Sequence, residues 1–347
     1  MAGMKILAKQ TIFCEGARGN LTEHLKERFE LAKDAVSVQH YGLGLKEIWE
    51  VAPDNKHFKA GHVQHSVGWP VKSDVYAGSF MYHMEPNLVH LGYVVGLDYK
   101  NPYLNPYEEF QKLKTHPEIR NVLEGGDCIQ YGARVLNEGG YHAIPKLTFP
   151  GGMLAGCSAG FLNVAKIKGS HNAMKTGMLA AEAIYDNFKR NDGEVTGEEL
   201  TSYETEVHSS WVAKELKESR NFKGGFDKGL WAGMAHGGLI AHITKGSEPW
   251  TLAHRTPDSQ STEEKSKHEP IEYPKPDGKL TFDLLTNLQR SGTNHDHDQP
   301  SHLVVKENMD DVPSNVSLAT FGGPEQRFCP AKVYEYVEDV ETKKQKL

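Results

Sequence analysis

The order of apolar and polar positions predicts two stretches of the same type. Residues 153–155 form a short apolar run bounded by glycines, which predicts a buried strand. A loop of small residues follows, and a helix with small and apolar residues mostly on one side is predicted from about Gly169. Near the N-terminus, a strand over residues 11–13 runs into a glycine turn and then a helix that extends to Arg28. Both stretches have the order strand, glycine turn, helix.

Such a turn is suited to an anionic or electron-rich group, because the N–H groups at a helix N-terminus are free and the helix dipole is positive there. An ordinary packing unit has the same pattern, so the glycines alone leave both interpretations open. The GxGxxG fingerprint with which nucleotide-binding units normally begin does not occur in the sequence. Asn20 or Thr22 is the expected N-cap of the first helix.

The rest of the chain predicts a sheet and further helices. Residues 39–95 alternate in polarity and are rich in aromatic side chains, which predicts an antiparallel sheet of at least four strands. A helix is predicted at about 106–115 and another at about 201–219. The glycine-rich run 221–244 is too polar to span a bilayer, and two interpretations stay open for it: a segment in the membrane interface or a surface loop.

Composition narrows the class of protein. The chain has 347 residues, which favours about two domains, and a net charge of -7, which argues against a nucleic-acid partner. The N-terminal residues MAGMKILAKQ have the features of neither a mitochondrial presequence nor a secretory signal. The four cysteines lie far apart and form no CxxC, so the sequence predicts no local metal cage.

Several long motifs resemble the electron transfer flavoprotein–ubiquinone oxidoreductase family. They include NPYLNPYEEF, LEGGDCIQYGAR, GCSAGFLNVAKIKGSHNAMKTG, SGTNHDHDQP and GPEQRFCPA, and the resemblance extends from about residue 10 to residue 338. It implies an α+β fold of three parts. These are a Rossmann-like FAD-binding portion of the glutathione reductase and hydroxylase type, a ubiquinone-binding domain on an antiparallel sheet, and the start of a ferredoxin-like 4Fe-4S domain.

The resemblance also implies domain boundaries. The expected segments are residues 1–36 and 136–220 for the FAD-binding domain, 37–135 for the ubiquinone-binding domain, 221–255 for a membrane-surface segment, and 256–347 for the incomplete cluster domain.

Site residues follow from the same resemblance. Those expected to bind FAD are Glu15, Gly16, Gly156, Cys157, Ser158, Gly160, Asn163, Lys168 and Gly169. Ala77 and Gly78 are expected at the ubiquinone headgroup, and a close crossing of strands is the alternative reason for small residues there. Cys329 matches the first of four cysteine ligands of the cluster. No catalytic acid, base or nucleophile is expected, because the flavin and the cluster carry the chemistry. Lys166 and Lys168 either add positive charge near the flavin or are simply solvated.

The implied function is oxidoreduction: electrons pass from reduced electron transfer flavoprotein through FAD and the 4Fe-4S cluster to ubiquinone. The implied place is the matrix face of the mitochondrial inner membrane, with contact at the membrane surface. Several family features differ. The sequence lacks the first glycine fingerprint and three cluster cysteines, and Ala77 stands where a glycine is usual. Ala159 and Ala165 stand where prolines are usual, and residues 224–244 are more polar than the family's usual membrane-dipping segment. The chain is therefore expected to be a truncated form.

Two alternatives to that function stay open. One is a non-catalytic fragment without bound redox centres. The other is a flavin hydroxylase that uses a nicotinamide cofactor, against which the HDHDQP segment and the cysteine in the tail argue.

Overall fold

The computed structural model describes residues 4–193, 197–300, 303–340, 343 and 345–347. The chain divides into two compact units. The first comprises the residues up to Gly42 together with residues 135–257, and the second comprises residues 43–134 and 258–347. The functional boundaries expected from the sequence stay a prediction.

The secondary structure is mixed. The strands in the described part of the chain are β1 (Thr11–Phe13), β2 (Tyr41–Glu50), β3 (Val63–Val67), β4 (Ala77–Met84), β5 (Leu88–Gly96), β6 (Asp127–Asn137), β7 (Thr148–Phe149), β8 (Gly152–Leu154), β9 (Val337–Glu338) and β10 (Gln345–Lys346). The α-helices there are α1 (Asn20–Arg28), α2 (Pro106–Leu113), α3 (Pro117–Leu123), α4 (Ser170–Arg190), α5 (Thr201–Ser209), α6 (Trp211–Glu218), α7 (Leu230–Leu239), α8 (Leu284–Arg290), α9 (Ala319–Phe321) and α10 (Glu325–Phe328).

A three-stranded sheet of order β1-β8-β7 forms the centre of the first unit. β1 and β8 run parallel, with Ile12 opposite Met153, and β7 runs antiparallel to β8. Met153 and Leu154 are fully buried and pack with Leu179 and Ala180 of α4. The strand–turn–helix order predicted for both stretches is therefore confirmed, and burial of one apolar face of α4 against the core explains why this helix forms.

Two predictions of detail in the first unit are wrong. The helix expected over residues 201–219 is broken at Ser210, whose hydroxyl accepts a hydrogen bond from the N–H of Val212 at 3.2 Å and so caps α6. Neither Asn20 nor Thr22 is the N-cap of α1, because α1 begins after Gly19 and its first N–H groups bond to the carboxylate of Glu15 instead.

The second unit is built on a five-stranded sheet of order β3-β4-β5-β2-β6. β3 with β4 and β4 with β5 are antiparallel, which confirms the predicted antiparallel sheet. Burial alternates along β4, as the two-residue period of a strand requires. α2 begins at Pro106 and is capped by Asn105, whose side-chain oxygen accepts from the N–H groups of Tyr107 and Glu108.

A buried carboxylate joins three elements inside the second unit. Glu47 of β2 is fully buried and lies 3.0 Å from the ammonium group of Lys114, which is also fully buried. Its oxygens accept further hydrogen bonds from Trp49, Gln111 and, on α8, Asn287. This arrangement gives the buried charges of Glu47 and Lys114 partners, as an apolar interior demands.

Candidate cofactor-binding site

Two loops meet at the carboxyl ends of the parallel strands β1 and β8. The N–H of Glu15 donates to the hydroxyl oxygen of Ser158 at 2.8 Å, and that hydroxyl lies 3.4 Å from the carbonyl oxygen of Gly16. Ser158 is almost fully buried at this junction. The carboxyl ends of parallel strands are where open α/β sheets bind ligands.

The glycines of these loops have conformations that other residues rarely adopt. Gly16, Gly156 and Gly160 have φ values of 83°, 59° and 86°. A Cβ on Gly156 would lie 3.2 Å from the Cβ of Ala173, and the N–H of Gly156 donates to the hydroxyl of Thr176 at 3.0 Å. The loop therefore rests directly on α4, and a Cβ at Gly156 would be closer to Ala173 than ordinary van der Waals contact.

The side chain of Glu15 has a structural role. Its carboxylate accepts from the N–H of Leu21 at 3.2 Å, and from the N–H and hydroxyl of Thr22 at 2.7 and 2.6 Å. Burial tends to raise the pKa of Glu15, but these hydrogen bonds outweigh it and lower the pKa below its usual range. Glu15 thus fixes the start of α1 against the loop, and a direct contact with a cofactor stays a prediction.

The start of α4 offers backbone donors. Gly169 is the N-cap, and among the described residues no side chain makes a cap hydrogen bond there. A helix N-terminus of this kind favours negative charge. A Cβ on Gly169 would lie 3.5 Å from Leu162, which is ordinary contact, so space alone does not require glycine at this position.

The segment between the loop and α4 forms a tight hairpin. Asn163 and Lys168 form an antiparallel bridge, with N–H to oxygen distances of 2.9 and 3.2 Å. Asn163 is buried, whereas Lys168 is exposed and its ammonium group lies 3.3 Å from the carbonyl oxygen of Ile167. Cys157, at the start of the small-residue loop, is partly exposed. All nine residues expected to bind FAD therefore lie in the first unit, on the two loops, the hairpin and the start of α4.

Sequence reasoning missed one residue of this site, Glu215 of α6. Its carboxylate accepts from Asn163 at 3.0 Å and from Lys166 at 2.8 Å, and the ring Nε2 of His171 lies 2.8 Å away. Burial tends to raise the pKa of Glu215, but the hydrogen bonds from these three residues outweigh it and hold the pKa at about 2. No signal in the sequence singles out this glutamate, because its partners lie 44 to 52 positions away.

The two residues expected at ubiquinone lie at the start of β4 in the second unit. Gly78 is opposite Val67 on one side and Val94 on the other. A Cβ on Gly78 would lie 2.7 Å from the carbonyl oxygen of Ser66. Ala77, its neighbour, is buried. The close approach of β3 to β4 at Ser66 is therefore enough by itself to require glycine at this position.

Comparison with known proteins gives matches over nearly the whole chain. A family model described as ETF-QO, ubiquinone-binding, matches residues 41–136, and one described as electron transfer flavoprotein-ubiquinone oxidoreductase, 4Fe-4S, matches residues 278–347. The mitochondrial electron transfer flavoprotein-ubiquinone oxidoreductase of Caenorhabditis elegans is 52% identical over 340 residues, or 96% of this chain. That of Homo sapiens is 51% identical over 342 residues. The chain belongs to the electron transfer flavoprotein–ubiquinone oxidoreductase family.

The chain spans about half the length of these relatives, 56% and 54%. Among solved structures, a geranylgeranyl bacteriochlorophyll reductase-like protein from Thermoplasma acidophilum is 16% identical with a TM-score of 0.49, over 69% of this chain and 55% of that chain.

Two cofactors of this oxidoreductase family can be tested against the residues present. The loops of the first unit fit part of a flavin site, since left-handed glycines and an uncapped helix N-terminus meet there. The residues of the second unit do not fit a 4Fe-4S cluster, which takes four cysteine ligands in most proteins. Residues 278–347 contain one cysteine, Cys329, which is buried and whose sulfur accepts from the N–H of Val333 at 3.4 Å.

Proposed function

We propose that this chain takes part in electron transfer from reduced electron transfer flavoprotein to ubiquinone, with FAD held by the first unit. The observation that carries the proposal is the meeting of the two glycine loops with the uncapped start of α4. The names of relatives that are about half identical to the chain support the same reaction.

The residues of the two loops and of the start of α4 would bind or orient the cofactor. Ser158 holds the two loops together, and the glycines let the backbone approach the cofactor closely. The N-terminus of α4 stabilises negative charge on the group in front of it. Glu215 compensates the charge of Lys166. Lys166 therefore adds no net positive potential at the flavin. FAD itself, when bound, supplies the acceptance and release of electrons.

The second unit is the proposed place of ubiquinone. Its support is the match of residues 41–136 to a ubiquinone-binding family model. Ala77 and Gly78 are the proposed headgroup contacts, since small residues leave backbone groups accessible to a flat ring. The tight approach of Ser66 is an independent structural reason for Gly78.

Contact with a membrane surface is proposed for residues 221–255, on the matrix face of the mitochondrial inner membrane. No helix in the described part of the chain is long and apolar enough to cross a membrane. α7 and the short π-helix that follows it (Ile240–Thr244) expose large apolar side chains, with Trp231 77% and Ile243 73% exposed. Aromatic and aliphatic side chains at such a surface suit the membrane interface. The names of the relatives support the mitochondrial location.

Titration of the purified chain with FAD tests the proposed site. Saturable quenching of flavin fluorescence is expected, and Gly156→Ala should weaken it because the new Cβ meets Ala173 and strains a left-handed backbone. Gly177→Ala is the matched control, since a Cβ on this glycine of α4 meets nothing within 4 Å. FAD binding followed by reduction of a soluble ubiquinone by reduced electron transfer flavoprotein would support the function. Absence of FAD binding would favour the non-catalytic alternative.

Sedimentation with vesicles of phosphatidylcholine and cardiolipin tests the membrane contact. The unchanged chain is expected to sediment with the vesicles, and Trp231→Ser should reduce the bound fraction. Tyr185→Ser is the control, because Tyr185 is 65% exposed on α4, outside the proposed segment. An equal effect of the two substitutions would show that residues 221–255 do not make the membrane contact.

A further inference from the structure

The hairpin 163–168 has a backbone conformation that its own sequence does not favour. Ile167 has a φ of 55°, in the left-handed region that β-branched residues avoid. Its N–H bonds to the carbonyl oxygen of Val164 at 3.2 Å, which closes the turn. Strain of this kind persists where the surrounding structure fixes it. Contacts from outside the hairpin must therefore hold it in shape.

Glu215 makes those contacts. It contacts the hairpin at two points, the buried amide of Asn163 at one end and the exposed ammonium group of Lys166 within the turn. The same carboxylate also contacts His171 in the first turn of α4. One side chain therefore ties the hairpin to the helix start that follows it.

The helix that carries Glu215 is itself firmly placed. Val212 and Leu216 of α6 are buried in the core of the first unit, and Ser210 caps the helix. The ring of Trp211, the first residue of α6, stacks on that of His171, with centroids 5.6 Å apart and an interplanar angle of 5°. Glu215 thus projects from a rigid support, which is what an orienting residue requires.

We propose that Glu215 is a positioning residue of the cofactor site, which holds the hairpin 163–168 and the start of α4 in the arrangement that accepts the flavin. This inference rests on the proposed binding of FAD. Glu215 acts through Asn163, Lys166 and His171 and does not itself need to contact the cofactor. The carboxylate is required because two negatively charged oxygens serve three donor groups. A glutamine would turn its NH₂ group toward at least one of them.

The test compares Glu215→Gln with Glu199→Gln in the full chain. Glu199 is a matched control because it also pairs with a lysine in the first unit, Lys146 at 2.6 Å, and lies outside the hairpin and its contacts. Backbone hydrogen exchange is measured first, without FAD. Glu215→Gln should speed exchange at the N–H groups of Asn163 and Lys168 by about tenfold, as expected for loss of a charged hydrogen bond, while Glu199→Gln leaves them unchanged. Unchanged protection in Glu215→Gln would overturn the proposal.

FAD affinity is measured next. If the unchanged chain binds FAD, Glu215→Gln should raise the dissociation constant by about tenfold and Glu199→Gln should leave it unchanged. A merely structural role would lower the thermal midpoint without this selective loss, so equal affinities in the two variants would also overturn the proposal. If the unchanged chain binds no FAD, the proposed function fails, and the hydrogen-exchange result alone decides whether Glu215 positions the hairpin.

Discussion

Two glutamates organise the two units in different ways. Glu47 is fully buried in the second unit and forms an ion pair with the equally buried Lys114. Glu215 stands at the edge of the first unit, with 17% of its side chain exposed, and its partner Lys166 is 57% exposed. Removing one member of a buried pair leaves a charge without water or partner, whereas water can replace a partner near the surface. The first arrangement therefore fixes a fold, and the second can fix a loop without dominating stability.

Lys114→Met should have the largest effect, because it leaves Glu47 charged and buried without its ion-pair partner. A loss of about 3–5 kcal/mol in the free energy of unfolding is expected. Chemical denaturation of the chain measures it. Lys100→Met is the control, since Lys100 pairs with Glu263 at 3.9 Å and is 65% exposed, and its removal should cost less than about 1 kcal/mol.

A double substitution sharpens the same point. Glu47→Met combined with Lys114→Met removes both charges but leaves the donor groups of Trp49, Gln111 and Asn287 without their acceptor. The double variant should therefore remain less stable than the unchanged protein. Recovery of full stability would show that the ion pair alone, and not the wider hydrogen-bond network, matters in the second unit.

Gly78→Ala should have the next largest effect. The added Cβ would lie 2.7 Å from the backbone oxygen of Ser66, which cannot move aside as a flexible side chain can. A loss of about 1–3 kcal/mol is expected from such overpacking. Gly132→Ala on β6 is the control, because nothing lies within 4 Å of a Cβ there. Equal midpoints of denaturation for the two variants would show that β3 and β4 can move apart beside Gly78 without loss of stability.

Elements formed by local signals could be predicted from the sequence, whereas contacts between residues far apart in the sequence could not. The strands at residues 11–13 and 152–154 and the helix after Gly169 were predictable, because a short apolar run and a glycine turn are local signals. Their meeting at one edge follows from the parallel pairing of β1 with β8. The loop of small residues was visible as a local signal, whereas the expected role of Ser158 and the glycines in FAD binding came from the family resemblance.

The residues that hold these parts together were not predictable. Glu47 meets Asn287 across 240 positions, and Glu215 meets Asn163 across 52. An isolated glutamate on a strand or an amphipathic helix has the same appearance in sequence whether it is solvated or joins three elements. The cap of α1 was missed for a related reason, since Glu15 reaches over a turn that the usual cap positions do not include.

The smallest expected effect is a pH dependence that belongs to Glu215. Its pKa is about 2 in the folded chain, against an ordinary value of 4.5, so the unfolded state binds the proton first as pH falls. The stabilisation from Glu215 is therefore complete above pH 4.5 and is lost progressively as pH falls toward 2. Because the carboxylate is partly exposed, this stabilisation should amount to only about 1 kcal/mol. Urea denaturation of the unchanged chain and of Glu215→Gln between about pH 6 and pH 3.5 should show a stability difference that shrinks with acidity. A difference that stays constant over this range would mean that the carboxylate contributes through packing alone, and the distinction drawn between the two glutamates would then lose its electrostatic basis.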